Sequence, residues 1–164
     1  MARTFSTMPD LGTTAPGFSL LNVVTGEFCA LDDVTGEMGT VVMFICNHCP
    51  FVLHVNEELV RIANDYKEKG IGFIAISAND AVSYPEDGPD KMKEQAAAMN
   101  YPFPYLYDKS QAIAKDFKAA CTPDFFGFNA LGELQYRGRL DASTRAGGPG
   151  NLRRDLFEAM KEVV

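Results

Sequence analysis

The chain has 164 residues, 46% of them hydrophobic and 23% charged, enough apolar material for the core of one ordinary globular domain. Its formal net charge of −7 argues against nucleic acid or anionic membrane as a partner, since both require clustered Lys and Arg. No apolar run approaches the roughly 20 residues needed to cross a bilayer, and the opening "MARTFSTMPDLGTTAPG" lacks the apolar stretch of a secretory signal, so a cytoplasmic address is expected.

Residues 1–16 are polar and rich in Thr, Gly and Pro, which predicts an extended arm leading into a single domain over 1–164. "FSLLNVV" and "EFCALDD" flank Thr25-Gly26, a turn signal, and together predict a β-hairpin. "TVVMFI" (40–45) is an unbroken apolar run rich in β-branched types, the pattern of a strand buried on both faces. After it, Val52, Val55, Leu59, Ile62 and Tyr66 fall at spacings of three and four and make one apolar stripe of a helix. That helix should end near Lys69-Gly70, a cation followed by a C-cap glycine. "IGFIAIS" (71–77) predicts a second buried strand, and the loop "NDAVSYPEDGPD" leads to a helix over about 89–99. "PFPYLYD" has room for a short strand, and residues 109–119 predict another helix. "DFFGFN" and "ELQYRGRL" straddle Ala130-Leu131-Gly132 as an antiparallel hairpin, and a last helix is expected over about 151–163. Strands alternating with helices imply an α/β domain whose central sheet starts parallel, is covered on both faces and gains an antiparallel edge from the final hairpin. This is the element order of a thioredoxin-like fold, with a mixed central sheet flanked by helices and an N-terminal β-hairpin extension.

The chain has four cysteines, Cys29, Cys46, Cys49 and Cys121. A domain of this size needs no disulfide framework, and a reducing cytosol would not preserve one. Cys46 and Cys49 bracket Asn47-His48 where the buried strand hands over to the helix, with Pro50 suited to the first helical turn. Amide groups and the macrodipole at a helix start favour a thiolate, so a depressed pKa is expected at Cys46. Cys49, one turn on and more buried, is placed to resolve the mixed disulfide that Cys46 forms. His48, partly protonated at neutral pH, would stabilise the neighbouring thiolate and shift the pair toward the oxidising side; its plain alternative is a solvent-facing residue. A zinc site would need two more ligands, and the chain has no second Cys-x-x-Cys and only His54 besides, on the polar flank of its helix. A structural disulfide closing so short a loop gains little. The redox-dithiol reading therefore leads, with no metal and no bound cofactor expected. Cys29 reads as packing. Cys121 reads as a small core residue, or else as a thiol near enough to trap Cys46 in an alternative disulfide.

"VVMFICNHCPFV", "SANDAVSYPEDGPDKM", "YPFPYLYD" and "CTPDFFGFNALGELQYRGRLD" resemble the peroxiredoxin-like branch of the thioredoxin superfamily, also described as alkyl-hydroperoxide-reductase/thiol-antioxidant-like proteins. The resemblance runs from about Pro16 to the last helix. It implies a thioredoxin-like fold with Cys46 as nucleophile, Cys49 as resolving thiol and Pro123 as a cis-proline facing the dithiol, with Thr122 turned toward the site. The Pro-x-x-x-Thr-x-x-Cys loop of a true peroxiredoxin is missing before Cys46, and nothing in the sequence aims Arg137 or Arg139 at it. The implied activity is thiol–disulfide exchange with protein or small-molecule disulfides and a thiol electron donor. The alternatives are a thiol peroxidase and a copper metallochaperone; the lack of any histidine after His54 counts against copper.

Overall fold

The computed structural model describes residues 10–140 and 155–163. Seven strands form one mixed sheet: β1 (Ser19–Asn22), β2 (Phe28–Ala30), β3 (Gly39–Phe44), β4 (Ile71–Ser77), β5 (Tyr105–Tyr107), β6 (Asp124–Asn129) and β7 (Leu134–Gly138). Their order across the sheet is β2-β1-β5-β4-β3-β6-β7. The helices are α1 (Pro50–Lys67), α2 (Pro89–Ala98), α3 (Ala112–Asp116) and α4 (Asp155–Val163). None of the described helices is long and apolar enough to cross a membrane.

The centre of the sheet follows from the apolar runs. All six residues of β3 are buried, as is nearly all of β4. They pair in parallel, Gly39 opposite Ile71 through Phe44 opposite Ile76, and β4 pairs in parallel with β5. The final hairpin joins antiparallel through β6 on β3, with Phe44 opposite Asp124. The N-terminal hairpin closes the far side, where β1 pairs antiparallel with β5, Leu21 opposite Tyr107. The sheet therefore carries antiparallel strands at both edges.

Side chains alternate across the sheet, as a two-residue repeat requires. Val41 and Met43 enter a cluster with Leu59 and Ile62 of α1, Met92 of α2 and Leu156 and Met160 of α4. Val42 and Phe44 enter a second cluster with Phe18, Ile74, Ile76, Phe117, Phe126 and Cys29. The expected α1 stripe (Val52, Val55, Leu59, Ile62, Tyr66) is wholly buried, and Gly70 takes the left-handed φ of +82° that a glycine accepts after a helix.

Two elements differ from expectation. The helix expected over 109–119 shrinks to Ala112–Asp116, because Gln111 and Lys118 take φ of +63° and +56° at its two ends. The part of the N-terminal arm among the described residues is tied down: Gly12 donates to the Leu134 carbonyl, Ala15 to that of Gly132, and Leu134 to that of Thr13. Residues 1–9 of that arm and 151–154 of the last expected helix lie outside the described residues.

Candidate active site

The β3–α1 junction sets the two cysteines. The Ile45 amide still bonds the Ile76 carbonyl, so the chain stays extended up to Cys46. Cys49 is the N-cap of α1, with Pro50 at the first helical position and the Val52 and Leu53 amides donating to the Cys49 carbonyl. Proline suits that position because its missing N–H would have no intrahelical acceptor. Cys46 and Cys49 are both buried, as is Cys29, and these three and the half-buried Cys121 are all free thiols.

Across from the pair, the Thr122–Pro123 peptide bond is cis. The Thr122 hydroxyl lies 3.6 Å from the Cys46 sulfur, and the Cys49 thiol donates to the Thr122 carbonyl at 3.4 Å. Thr122 thus touches both sulfurs from the loop that opens β6.

The thiols also bond to each other and lose their protons as a pair. The helix start acts on Cys49, not on Cys46 as the sequence had suggested. Cys49 is lowered to about 5, first by the hydrogen bond from Cys46 and then by those of Thr122, Val52 and Phe51, against the cost of burial. Cys46 is raised, first by its hydrogen bond to Cys49 and then by burial, with the Asp87 charge adding to both. The reason is register: α1 begins one residue after Cys49, so the Phe51 and Val52 amides of its first turn reach that sulfur.

His48 is not a solvent-facing residue. Its ring stacks on Tyr84, centroids 4.3 Å apart and planes within 6°, and its Nδ1 hydrogen-bonds the carboxylate of Asp87. Asp87 comes from a short 3-10 turn (Pro85–Asp87) in the loop between β4 and α2 and is 0% exposed. Its carboxylate also accepts from the Asn47 amide at 2.7 Å, the His48 amide at 3.1 Å and the Asn79 side chain at 3.0 Å. Asn47 is held in turn, donating to the Glu86 carbonyl and accepting from the Tyr105 hydroxyl at 3.0 Å. The whole Cys-Asn-His-Cys turn is therefore clamped by one buried carboxylate. The sequence shows a loop at "PEDGPD" but offers no sign that Asp87, among its neighbours Asp80, Glu86 and Asp90, is the inward one.

Cys46, His48 and Asp87 offer ligand atoms within 4.8 Å of one another. Cys49 adds a second sulfur. The carboxylate oxygens, however, are already shared among four N–H donors, which a metal ion would have to displace. The set suits proton handling better than coordination.

Of the remaining candidates, Cys121 adjoins Thr122 and is close enough to the dithiol to feel the Cys49 charge. Cys121 is half-buried and belongs to neither core cluster, contrary to the core reading; its thiol donates to the Pro123 carbonyl at 3.6 Å, and burial first, with Asp124 second, raises it to about 11. Cys29 does pack in the core, and His54 is exposed. Arg137 is buried against Asp124, 2.8 Å away, and donates to the Lys118 carbonyl, while Arg139 bonds Asp155 at 2.5 Å. Both arginines are thus engaged away from the sulfurs.

A reduced dithiol at a strand-to-helix junction, opposite a cis-proline and on this sheet order, defines a thioredoxin-fold protein. The chain matches the AhpC/TSA family over residues 11–137 and belongs to it, in the peroxiredoxin-like branch of the thioredoxin superfamily. Among solved structures it is similar to an uncharacterized conserved protein of Geobacillus kaustophilus, at 53% identity over 91% of this chain and 79% of that one, with a TM-score of 0.89. It is also similar to the hypothetical protein SMc02350 of Sinorhizobium meliloti 1021, at 37% identity over 98% and 87% of the two chains, with a TM-score of 0.93. The thioredoxin domain of thiol-disulfide oxidoreductase BVU-2223 from Bacteroides vulgatus shares the fold at 16% identity over 96% and 99%, TM-score 0.72. No curated protein matches the chain.

Proposed function

We propose that the protein is a thiol–disulfide oxidoreductase in which Cys46 attacks a disulfide and Cys49 resolves the mixed disulfide. The observation that carries this reading is the pair itself: two free thiols, hydrogen-bonded to each other and to Thr122 across the cis-proline loop. Cys46 is the first of the pair and follows directly on β3, whereas Cys49 is fixed as the helix cap. Cys46 is only 1% exposed, so a substrate reaches its sulfur as a neighbouring side chain such as Thr122 moves aside. The partners are then protein or small-molecule disulfides on one side and a thiol donor on the other, and the electrons reside in the dithiol alone. The engagement of Arg137 by Asp124 and of Arg139 by Asp155 favours this chemistry over peroxide reduction, since neither guanidinium is left to polarise a peroxide at Cys46.

The test is turnover of insulin disulfides with dithiothreitol as donor. The native dithiol is expected to accelerate it, Cys46→Ser to abolish the acceleration, and Cys49→Ser to accumulate a covalent mixed disulfide visible by mass spectrometry. Undiminished turnover by Cys46→Ser would overturn the assignment. A rapid sulfenic acid at Cys46 with hydrogen peroxide, far faster than at free cysteine, would move the protein to the peroxidase reading.

A further inference from the structure

One buried group has no partner in the site. Nε2 of His48 is shielded from solvent and hydrogen-bonds nothing among the described residues. The other ring nitrogen is bound to a carboxylate, which only accepts, so Nδ1 carries a proton and, in the neutral ring, Nε2 presents a lone pair. Tyr84 stacks on one face of the ring and fixes its plane. The Cys46 sulfur lies within 4.8 Å of the imidazole and the carboxylate. A nucleophile, a nitrogen base and a third group that orients the base are therefore brought together from β3's end, the turn after it and the Pro85–Asp87 turn; Nε2 bonds nothing in the resting protein, and general-base activation requires it to close on the sulfur as substrate binds.

We propose that His48 is the base that takes the Cys46 proton during attack, and that Asp87 is the positioning residue that aims it. This rests on the oxidoreductase reading for its physiological step. The Cys46 S–H gives its proton to Nε2 while the sulfur's electron pair forms a bond to one sulfur of the substrate disulfide. The substrate S–S bond breaks, and the departing sulfur takes the proton from Nε2 and leaves as a thiol. The Cys49 thiolate then attacks the Cys46 sulfur, and the second substrate sulfur leaves as a thiolate that takes its proton from solvent, leaving Cys46–Cys49 oxidised. Two electrons pass to the substrate, with one proton from Cys46 and one from solvent. The need for a base is local: the hydrogen bond to Cys49, then burial, then the Asp87 charge hold the proton on Cys46, so that thiol is a poor nucleophile unaided.

The groups bearing on the imidazole are the Asp87 carboxylate, the Tyr84 ring and the two thiols; Tyr101 and Tyr105 act on the Cys46 side, and burial raises both phenols, keeping them neutral. Asp87 is thus the one negative side chain bonded directly to the ring among the described residues.

The test measures alkylation of Cys46 by iodoacetamide in a Cys49→Ser background, followed by peptide mass mapping so that Cys29 and Cys121 do not contribute. No disulfide substrate is involved, so the result stands or falls separately from insulin turnover. At pH 7, His48→Gln and Asp87→Asn are each expected to slow the reaction by about 10²-fold. Asp87→Glu should recover part of that loss. The rates of all variants should converge above pH 10, where hydroxide removes the proton; a merely structural defect would persist there. His48→Gln leaves the backbone bonds of Asp87 intact, so it decides the matter even if Asp87→Asn fails to fold. Rates within twofold of the parent for His48→Gln at pH 7, with an unchanged pH profile, would overturn the proposal.

Discussion

Cys49 and Cys46 respond to the same surroundings with opposite signs, and that fixes how the reduced protein answers to pH. A thiol whose pKa is lower in the folded chain than in the unfolded one stabilises the fold as a thiolate. For Cys49, lowered from 9.0 to about 5, this contribution is complete above pH 9 and is lost as pH falls through about 5. For Cys46, raised above 9.0, the contribution is complete below pH 9 and is lost as pH rises past it. Oxidation removes both titrations at once, so the oxidised protein is the natural reference. The melting temperature of the reduced form minus that of the oxidised form should climb from pH 5 to about 9 and turn down above. Differential scanning calorimetry at intervals of one pH unit reads this directly. A difference that is flat across the range would mean that Val52, Phe51 and Cys46 do not hold a thiolate on Cys49. The sequence pointed to the dithiol through the local Cys-x-x-Cys pattern, and to Thr122-Pro123 through the family resemblance and its place in the element order. It placed the stabilising helix start at Cys46, whereas the Phe51 and Val52 amides act on Cys49, because this depends on whether α1 starts before or after Cys49, a matter of one residue.

At the scale of elements, apolar runs and stripes read well where burial alone decides. β3, β4 and α1 appear within a few residues of where periodicity puts them, since each buries a continuous or helically spaced apolar surface. The joining of β1 to β5 was not legible, because a hairpin edge carries no mark of the strand it will meet. Nor was the inward turn of Asp87, whose donors Asn47 and His48 lie 40 and 39 residues away in sequence. A further long-range contact sits at the start of β4. A Cβ built on Gly72 would lie 2.0 Å from the Val34 carbonyl oxygen and 2.9 Å from the Gly36 nitrogen. Both are backbone atoms and cannot step aside as a flexible side chain would. The loop before β3 crosses β4 so closely that only glycine fits there. Gly72→Ala is therefore expected to destabilise by about 1–3 kcal/mol or more through overpacking, measured as a fall in the midpoint of urea unfolding. As a control, Gly132→Ser sits at a turn with nothing within 4 Å of the added Cβ, though its φ of +74° still adds backbone strain. Its cost should be the smaller of the two. Equal costs would mean that the Val34–Gly72 crossing is not a tight contact.

Across the whole molecule, charge decides which disulfides arrive most often. The chain carries 22 acidic against 15 basic residues, and the segment that supplies Asp87 also carries Asp80, Glu86 and Asp90, with the Glu86 carbonyl bonded to Asn47. Of the carboxylates there, Asp87 is spent on the clamp beneath the site, while Asp80 and Glu86 are exposed. A field of this sign attracts cationic substrates and repels anionic ones, and it acts on encounter, not on the bond-making step. Cystamine and oxidised glutathione are both unstrained aliphatic disulfides, but cystamine is dicationic and oxidised glutathione is anionic at neutral pH. At 10 mM ionic strength the Debye length is about 30 Å, comparable with the whole domain, and at 1 M it is about 3 Å. The second-order rate constant for oxidation of the reduced protein should therefore favour cystamine by about tenfold or more at low salt. That preference should shrink markedly at 1 M salt, as anionic and cationic substrates approach a common rate. Stopped-flow measurement of dithiol loss with each disulfide at the two salt concentrations separates the two contributions. A preference for cystamine that survives unchanged at 1 M would have to come from contacts beside Cys46 and Thr122, and would show that recognition is made at the site and not by the field of the molecule.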